Sequence, residues 1–160
     1  MSGIKLEGDW TRLMQNLHKL TRFDFTGTHK EIGEQLVSST QQRFKTETGV
    51  DGQQWPQSIR AREEGGQTLS LTRRLRNSIN YAARPDQVAV GTNDKRASVH
   101  QTGATIRPKR AKHLKFKIGG RWALKKEVKI PARPFIGLSE QDQEDINEIV
   151  IRRLDEVLKK

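Results

Sequence analysis

At 160 residues the chain is long enough for one ordinary domain with a modest core. Only 32% of it is hydrophobic and 31% is charged, with a mean hydropathy of -0.82, well under the usual apolar share of about 45–50%, which also counts glycine. A formal net charge of +11 points to an acidic partner (nucleic acid, acidic protein or membrane surface) or to solubility alone, and the absence of cysteine excludes both a disulfide framework and a thiolate metal site.

The opening MSGIKLEGDW has no apolar run long enough for a secretion signal, and no segment approaches a membrane span. The expectation is a soluble protein made in the cytoplasm. Trp10, Leu13, Met14, Leu17 and Leu20 recur at spacings of three and four, predicting a helix over 9–21 capped by Asp9. Such a stripe ordinarily faces a core; a partner or membrane is the alternative. Gly27 interrupts the pattern, and Thr28-His29-Lys30-Glu31 has the form of a capping box opening a second helix to about Thr46. Its buried stripe is expected at Ile32, Leu36, Thr40 and Phe44. One long kinked helix would also fit.

Residues 49–70 are rich in Gly, Gln, Ser and Glu and predict a long, flexible, partly ordered loop, with Trp55 tucked against another part of the chain. Leu71, Leu75 and Ile79 suggest a short helix running into a strand. INYAARPDQVAVGTN then predicts a hairpin with strands near 79–83 and 87–91 about an Arg84-Pro85-Asp86 turn. Asn93 is the expected cap of a short helix ending before Gly103.

The segment 107–133 holds eleven cations against the single anion Glu127, a net +10 of the chain's +11. HLKFKI and RWALKKEV flank Gly119-Gly120 and predict a second, strongly basic hairpin. Leu114, Phe116 and Ile118 would form its apolar face, Lys115 and Lys117 its cationic one. Lys109, Arg110, Lys112, Lys115, Lys117, Arg121, Lys125, Lys126 and Lys129 are its candidate partner- or DNA-binding residues. Cations interleaved with Phe116 and Trp122 suit a phosphate-tracking, base-stacking surface. Both aromatics would equally pin the hairpin to a core, and exposed strand lysines also discourage edge-to-edge aggregation.

The last helix is expected over 139–158, with Ser139 as N-cap, acids early and cations late, including Lys159 and Lys160. Ile146, Ile149, Val150, Leu154, Val157 and Leu158 are its expected buried stripe. The whole is expected to be one domain over 1–160: a helical region (9–48), a loop (49–70), a helix-hairpin core (71–106), the basic hairpin (107–133) and the C-terminal helix.

Catalytic signatures are missing. His18, His29, His100 and His113 show no metal-binding spacing, Gly65-Gly66 and Gly119-Gly120 are isolated pairs rather than phosphate-binding loops, and no G-x-S-x-G occurs. Asp51 before Gly52 suits a turn better than a catalytic carboxylate. His100 suits a packed helix end better than an acid–base role. No catalytic residue, cofactor, metal or small-molecule substrate is expected.

Four ordered stretches, GVDGQQWP (49–56), LTRRLRNSI (71–79), VGTNDKRASVHQTGATI (90–106) and IPARPFIGLSEQD (130–142), resemble the phage virion morphogenesis family, the tail-completion proteins of Mu-like contractile-tailed phages and prophages. Arg73 stands where that pattern usually has glycine, and Arg96-Ala97 where Tyr-Ala is common. The resemblance implies a small α+β fold, helices on a small antiparallel sheet, and the long basic hairpin suits an arm reaching a neighbouring subunit, the tube end or DNA in the lumen. It further implies a non-enzymatic tail completion, terminator or head–tail joining role in a homo-oligomeric ring, hexameric by analogy with the tail's symmetry. The partners implied are the tube or sheath end, neck proteins and DNA in the lumen, in the tail or neck of a virion assembled in the bacterial cytoplasm. Sequence-independent nucleic-acid binding through the basic hairpin is the alternative function. Trp55, His100, Gln101, Gly103, Pro131, Arg133, Pro134 and Phe135 are the motif positions expected to be structural. Pro131 and Pro134 fix two φ angles and extend the residues before them, predicting a stiff strap before the last helix, with Arg133 in an ion pair or subunit contact.

Overall fold

A computed structural model describes residues 10–21 and 23–159. Asp9 and Lys160, expected at the outer ends of the first and last helices, lie outside them. The fold is α+β, as the sequence predicts.

Helix α1 (Trp10–Thr21) forms where its periodicity predicts, yet none of its residues is buried. Trp10 is 64% exposed, and Leu13, Met14 and Leu17 are also open to solvent. Its stripe therefore does not face a core, contrary to expectation. The helix rests chiefly on α6 (Glu140–Lys159), and that contact leaves its apolar stripe open to solvent.

Helix α2 (Thr26–Thr46) starts before the expected capping box. The Asp24 carboxylate accepts from the Thr26 amide at 2.9 Å and the Thr26 hydroxyl at 2.6 Å, so the cap is supplied four residues upstream of Thr28. Thr28 lies inside the helix and is buried, and Glu31 instead pairs with Arg152 and Arg153 of α6. Ile32, Thr40 and Phe44 are buried as expected, while Leu36 is half-buried. Glu47 ends the helix in the left-handed conformation, its amide donating to the Arg43 carbonyl.

The stretch expected as an open loop carries structure. Thr48 and Gln54 bridge around an Asp51-Gly52 turn, and Ser58 caps a helix, α3 (Ile59–Glu64), accepting from the Ala61 amide at 3.1 Å. Thr68 is fully buried and its amide donates to the Glu47 carboxylate. This helix is too short and too polar to register as a hydrophobic period. A one-turn helix, α4 (Arg74–Asn77), follows, with Leu75 and Ile79 buried but Leu71 exposed.

Arg73 adopts φ 55, the left-handed conformation. A non-glycine residue there costs about 1–2 kcal/mol, part of which glycine returns as extra freedom of the unfolded chain. Arg73→Gly is therefore expected to raise the urea midpoint, a gain of up to about 1 kcal/mol. A lowered midpoint would show that the arginine side chain contributes more than its backbone costs.

Strands β1 (Ile79–Ala83) and β2 (Val88–Thr92) form the first hairpin, closed by the Arg84 amide donating to the Gln87 carbonyl at 2.8 Å. Helix α5 (Ala97–Thr102) is entered through Asp94, not Asn93: the Asp94 carbonyl accepts from the Ala97 amide and its carboxylate from the Arg96 amide. Strand β3 (Ala104–Ile106) pairs antiparallel with β6 (Val128–Ile130), and between them β4 (Leu114–Ile118) pairs with β5 (Arg121–Lys125). Gly119 and Gly120 both take positive φ, 54° and 78°, which a two-residue hairpin turn of matching twist demands.

The described strands thus form three two-stranded ladders. Helix α2 joins the layers, packing on β1 and β2 and on α6. Phe44, Trp55, Leu75, Ile79 and Phe135 make the core. Helix α6 is capped by Ser139 as expected, in a reciprocal box: the Asp142 amide donates to the Ser139 hydroxyl at 3.2 Å and the Ser139 amide to the Asp142 carboxylate at 2.8 Å. Of its expected stripe only Ile149 is buried; Ile146, Val150, Leu154 and Val157 are half-buried and Leu158 is exposed.

Candidate functional site

Two regions stand out: a junction where the four motif stretches converge, and the outer face of the basic hairpin. The junction is built around the strap 130–138. Gly103, at φ +74, brings α5 so close to the strap that a Cβ there would lie 2.9 Å from the Ala132 nitrogen and 3.0 Å from the Ile130 oxygen. The next contact is backbone to backbone, the Arg133 amide donating to the His100 carbonyl at 2.7 Å. Gln101 then acts as a side-chain substitute for a strand partner. Its Oε1 accepts from the amides of Phe135 and Ile136, each at 3.1 Å, and its Nε2 donates to the Ile136 carbonyl at 2.8 Å.

Gln101→Leu fills similar space but strands those groups, and unsatisfied polar groups cost about 1–3 kcal/mol. The expected loss is about 2–3 kcal/mol by urea unfolding. Gln101→Glu keeps both acceptor bonds and places an anion against the Ile136 carbonyl, so an intermediate loss is expected. Equal stability of the leucine variant and wild type would refute the bracing role.

Arg133 is only 3% exposed. Among the described residues it forms no ion pair; Nε donates to the Pro56 carbonyl at 2.7 Å and Nη1 to the Pro131 carbonyl at 3.4 Å. Pro131 and Pro134 are exposed, while the Pro134 carbonyl accepts from the Trp55 indole at 3.4 Å. Phe135 is fully buried, its ring centroid 5.0 Å from that of Phe44, which in turn lies 5.4 Å from Trp55. His100 is half-buried with its Nδ1 unpartnered. Burial, reinforced by Arg133 and Arg96, lowers its pKa and keeps the ring neutral at pH 7.

Beneath the strap lies a pair that nothing in the sequence singled out. Arg43 donates to the carbonyls of Phe135 (2.9 Å) and Gly137 (3.1 Å) and pairs with the buried carboxylate of Asp142. Burial, the largest influence on Asp142, pushes its pKa up; hydrogen bonds from Ser39 and Ser139 and the charge of Arg43 outweigh it, and the net shift is downward. The S-x-x-D spacing at 139–142 marks the cap, but nothing local to Arg43 marks it as buried.

The nine candidate cations of the hairpin region are all exposed. The structure does not gather them on one face. Because the Gly-Gly turn pairs Ile118 with Arg121, Lys117 stands opposite Trp122 and Lys115 opposite Leu124. Directly opposed residues share a face, so Lys115, Lys117, Trp122 and Leu124 form the outer surface. Arg121 and Lys125 fall with half-buried Leu114, Phe116 and Ile118 on the other. Trp122 is 65% exposed and pins nothing; the Lys115 ammonium sits 4.6 Å above its ring. Phe116 is half-buried, as an anchoring residue would be. Lys129 lies on β6 opposite Thr105, and Lys109, Arg110, Lys112 and Lys126 lie in the connecting turns. The lone anion of the segment, Glu127, is paired with Arg107 at 2.9 Å. The hairpin tip leans on α3, the Gly119 amide donating to Glu64 at 2.8 Å.

A model of the phage virion morphogenesis family matches residues 8–155. The chain belongs to that family. No curated protein and no solved structure matches it. The family is a structural assembly family, and its members' work is phage virion assembly. In this member the match spans both regions just described, and every motif position singled out in the sequence falls inside it. Among the described residues no acidic or histidine cluster could hold a metal ion, and no helix is long and apolar enough to cross a membrane.

Proposed function

We propose that this virion assembly protein acts at the head-proximal end of the phage tail, as a subunit of a closed ring that completes or terminates the tail before head joining. The observation that carries the reading is a pair of unlike surfaces that one chain leaves unburied. One is the apolar face of α1, with Trp10, Leu13 and Met14; the other is the cationic outer face of β4–β5. Exposed apolar patches of this kind mark protein contacts. Two different surfaces on one subunit suit a component that meets a neighbour with one and a tail or neck protein with the other. The thin core fits the same account, since assembly supplies burial that the single chain lacks.

Deletion of the gene from an inducible prophage tests the reading. Unjoined heads and tails, or tails of wrong length, are the expected electron-microscopic result, with plaque-forming titre falling by orders of magnitude. Normal infectious particles from the deletion would overturn it.

A further inference from the structure

Among the described residues, ion pairing in the segment 107–133 is confined to Arg107 and Glu127. Elsewhere the chain holds the opposite charge. Residues 140–148 contain five acids and no base; Asp142 is buried with Arg43, which leaves Glu140, Glu144, Asp145 and Glu148 along the first half of α6. Asp145 and Glu148 line a groove between α2 and α6 together with Glu34, and Ile149 lies in its floor. Glu31 closes one end, already neutralised by Arg152 and Arg153.

We propose that the outer face of the β4–β5 hairpin of one copy docks in this α2–α6 groove of a second copy, an inference that rests on the ring reading above. The match is in pattern as well as sign. Trp122 and Leu124 give the hairpin face an apolar centre beside Lys115 and Lys117, and the groove sets one apolar residue, Ile149, among the carboxylates of Glu34, Asp145 and Glu148. In one copy the hairpin leans on α3 while the groove belongs to α2 and α6, so the two surfaces occupy different elements and cannot satisfy each other locally. A contact between unlike patches of identical subunits is head-to-tail, and such contacts form a ring when the rotation from copy to copy closes. A single-stranded nucleic acid would use Trp122 and the lysines, but it would gain little from Leu124 and would leave the acidic half of α6 unanswered.

Two charge-reversed variants decide it: Lys115→Glu/Lys117→Glu on the hairpin and Glu144→Lys/Glu148→Lys on the helix. These side chains are exposed and take no part in the junction. In a prophage lacking the gene, each variant alone is expected to lower plaque-forming titre at least tenfold. Co-expression of the two is expected to restore it, because each reversed face then meets its complement on the other variant. Wild-type titre from either variant alone overturns the proposal. So does failure of co-expression to restore titre when both variants show wild-type circular dichroism and melting. Loss with the hairpin variant alone, with the helix variant fully active, overturns it in favour of nucleic acid or another acidic partner. If deleting the gene leaves titre normal, it is the ring reading that fails. The docking is then judged on purified full-length protein, by carbodiimide coupling of a mixture of isotope-labelled and unlabelled chains. Mixed-isotope links between the Lys115–Lys117 and Glu144–Glu148 peptides support it, and their absence overturns it.

Discussion

Replacing Arg43 by alanine is expected to cost about 3–5 kcal/mol, the usual penalty when one member of a buried ion pair is removed and the other is left uncompensated. Against a typical domain stability of about 5–15 kcal/mol, that loss is enough to leave much of the protein unfolded at growth temperature. The reason lies in how many ends Arg43 ties. Its guanidinium reaches the Phe135 and Gly137 carbonyls of the strap and the Asp142 carboxylate of α6 from its own position on α2. Asp142 in turn holds the Ser139 amide and hydroxyl that start the helix. Urea unfolding at neutral pH measures the loss; a change under about 1 kcal/mol would refute the buried-pair account.

The same pair predicts a pH dependence. The carboxyl of Asp142 is held below its ordinary 3.8 in the folded chain, so protonation favours the unfolded state. Its contribution is fully present above that ordinary value and is lost as pH falls through the lower folded one. Asp142→Asn should be less stable than wild type at pH 7, and the gap should narrow as pH falls below about 4. A gap that stays constant to pH 2.5 would contradict the downward shift.

Much of the architecture was legible because local chemistry wrote it. The Gly119-Gly120 turn fixes the second hairpin, Arg84-Pro85-Asp86 the first, and Ser139 with its early acids the start of α6. The strap was legible from Pro131 and Pro134. What escaped was what depends on distant partners. Periodicity revealed α1 as a helix, but it cannot say whether a stripe meets a core, and here it does not. Thr28 offered a good capping box and lost to Asp24, which reached the helix first. Helix α3 is six residues long with only Ala61 buried, below what a hydrophobic pattern can display. Arg43 sits on the buried side of α2 beside Phe44; only its partner ninety-nine positions away explains an arginine there. At the hairpin, the sharing of a face by Trp122 and Lys117 follows from the turn length alone and was in principle readable.

Phe135→Ala is expected to be equally damaging, at about 3–5 kcal/mol for an aromatic removed from a site that cannot collapse. Phe135 is fully enclosed between Phe44, the Trp55–Pro134 contact and the Gln101 brace. Backbone hydrogen bonds on both sides of it hold the surrounding strap in place, so the cavity has little means of closing. Phe135→Leu keeps most of the volume and loses the aromatic pairing, so it should cost only about 1–2 kcal/mol. Thermal melts followed in the near ultraviolet distinguish the two, and equal melting of Phe135→Ala and wild type would refute the core assignment. The consequence for assembly comes from where the residue stands. The strap runs from β6, at the base of the basic hairpin, directly into α6, which carries the acidic groove. By fixing that joint, Phe135 fixes the offset between the hairpin face and the groove, the two surfaces paired in the docking proposed above. Phe135→Leu is accordingly expected to give temperature-sensitive virion assembly at temperatures where the isolated protein remains folded. Assembly that fails only where the variant also melts would show that the anchor serves stability alone.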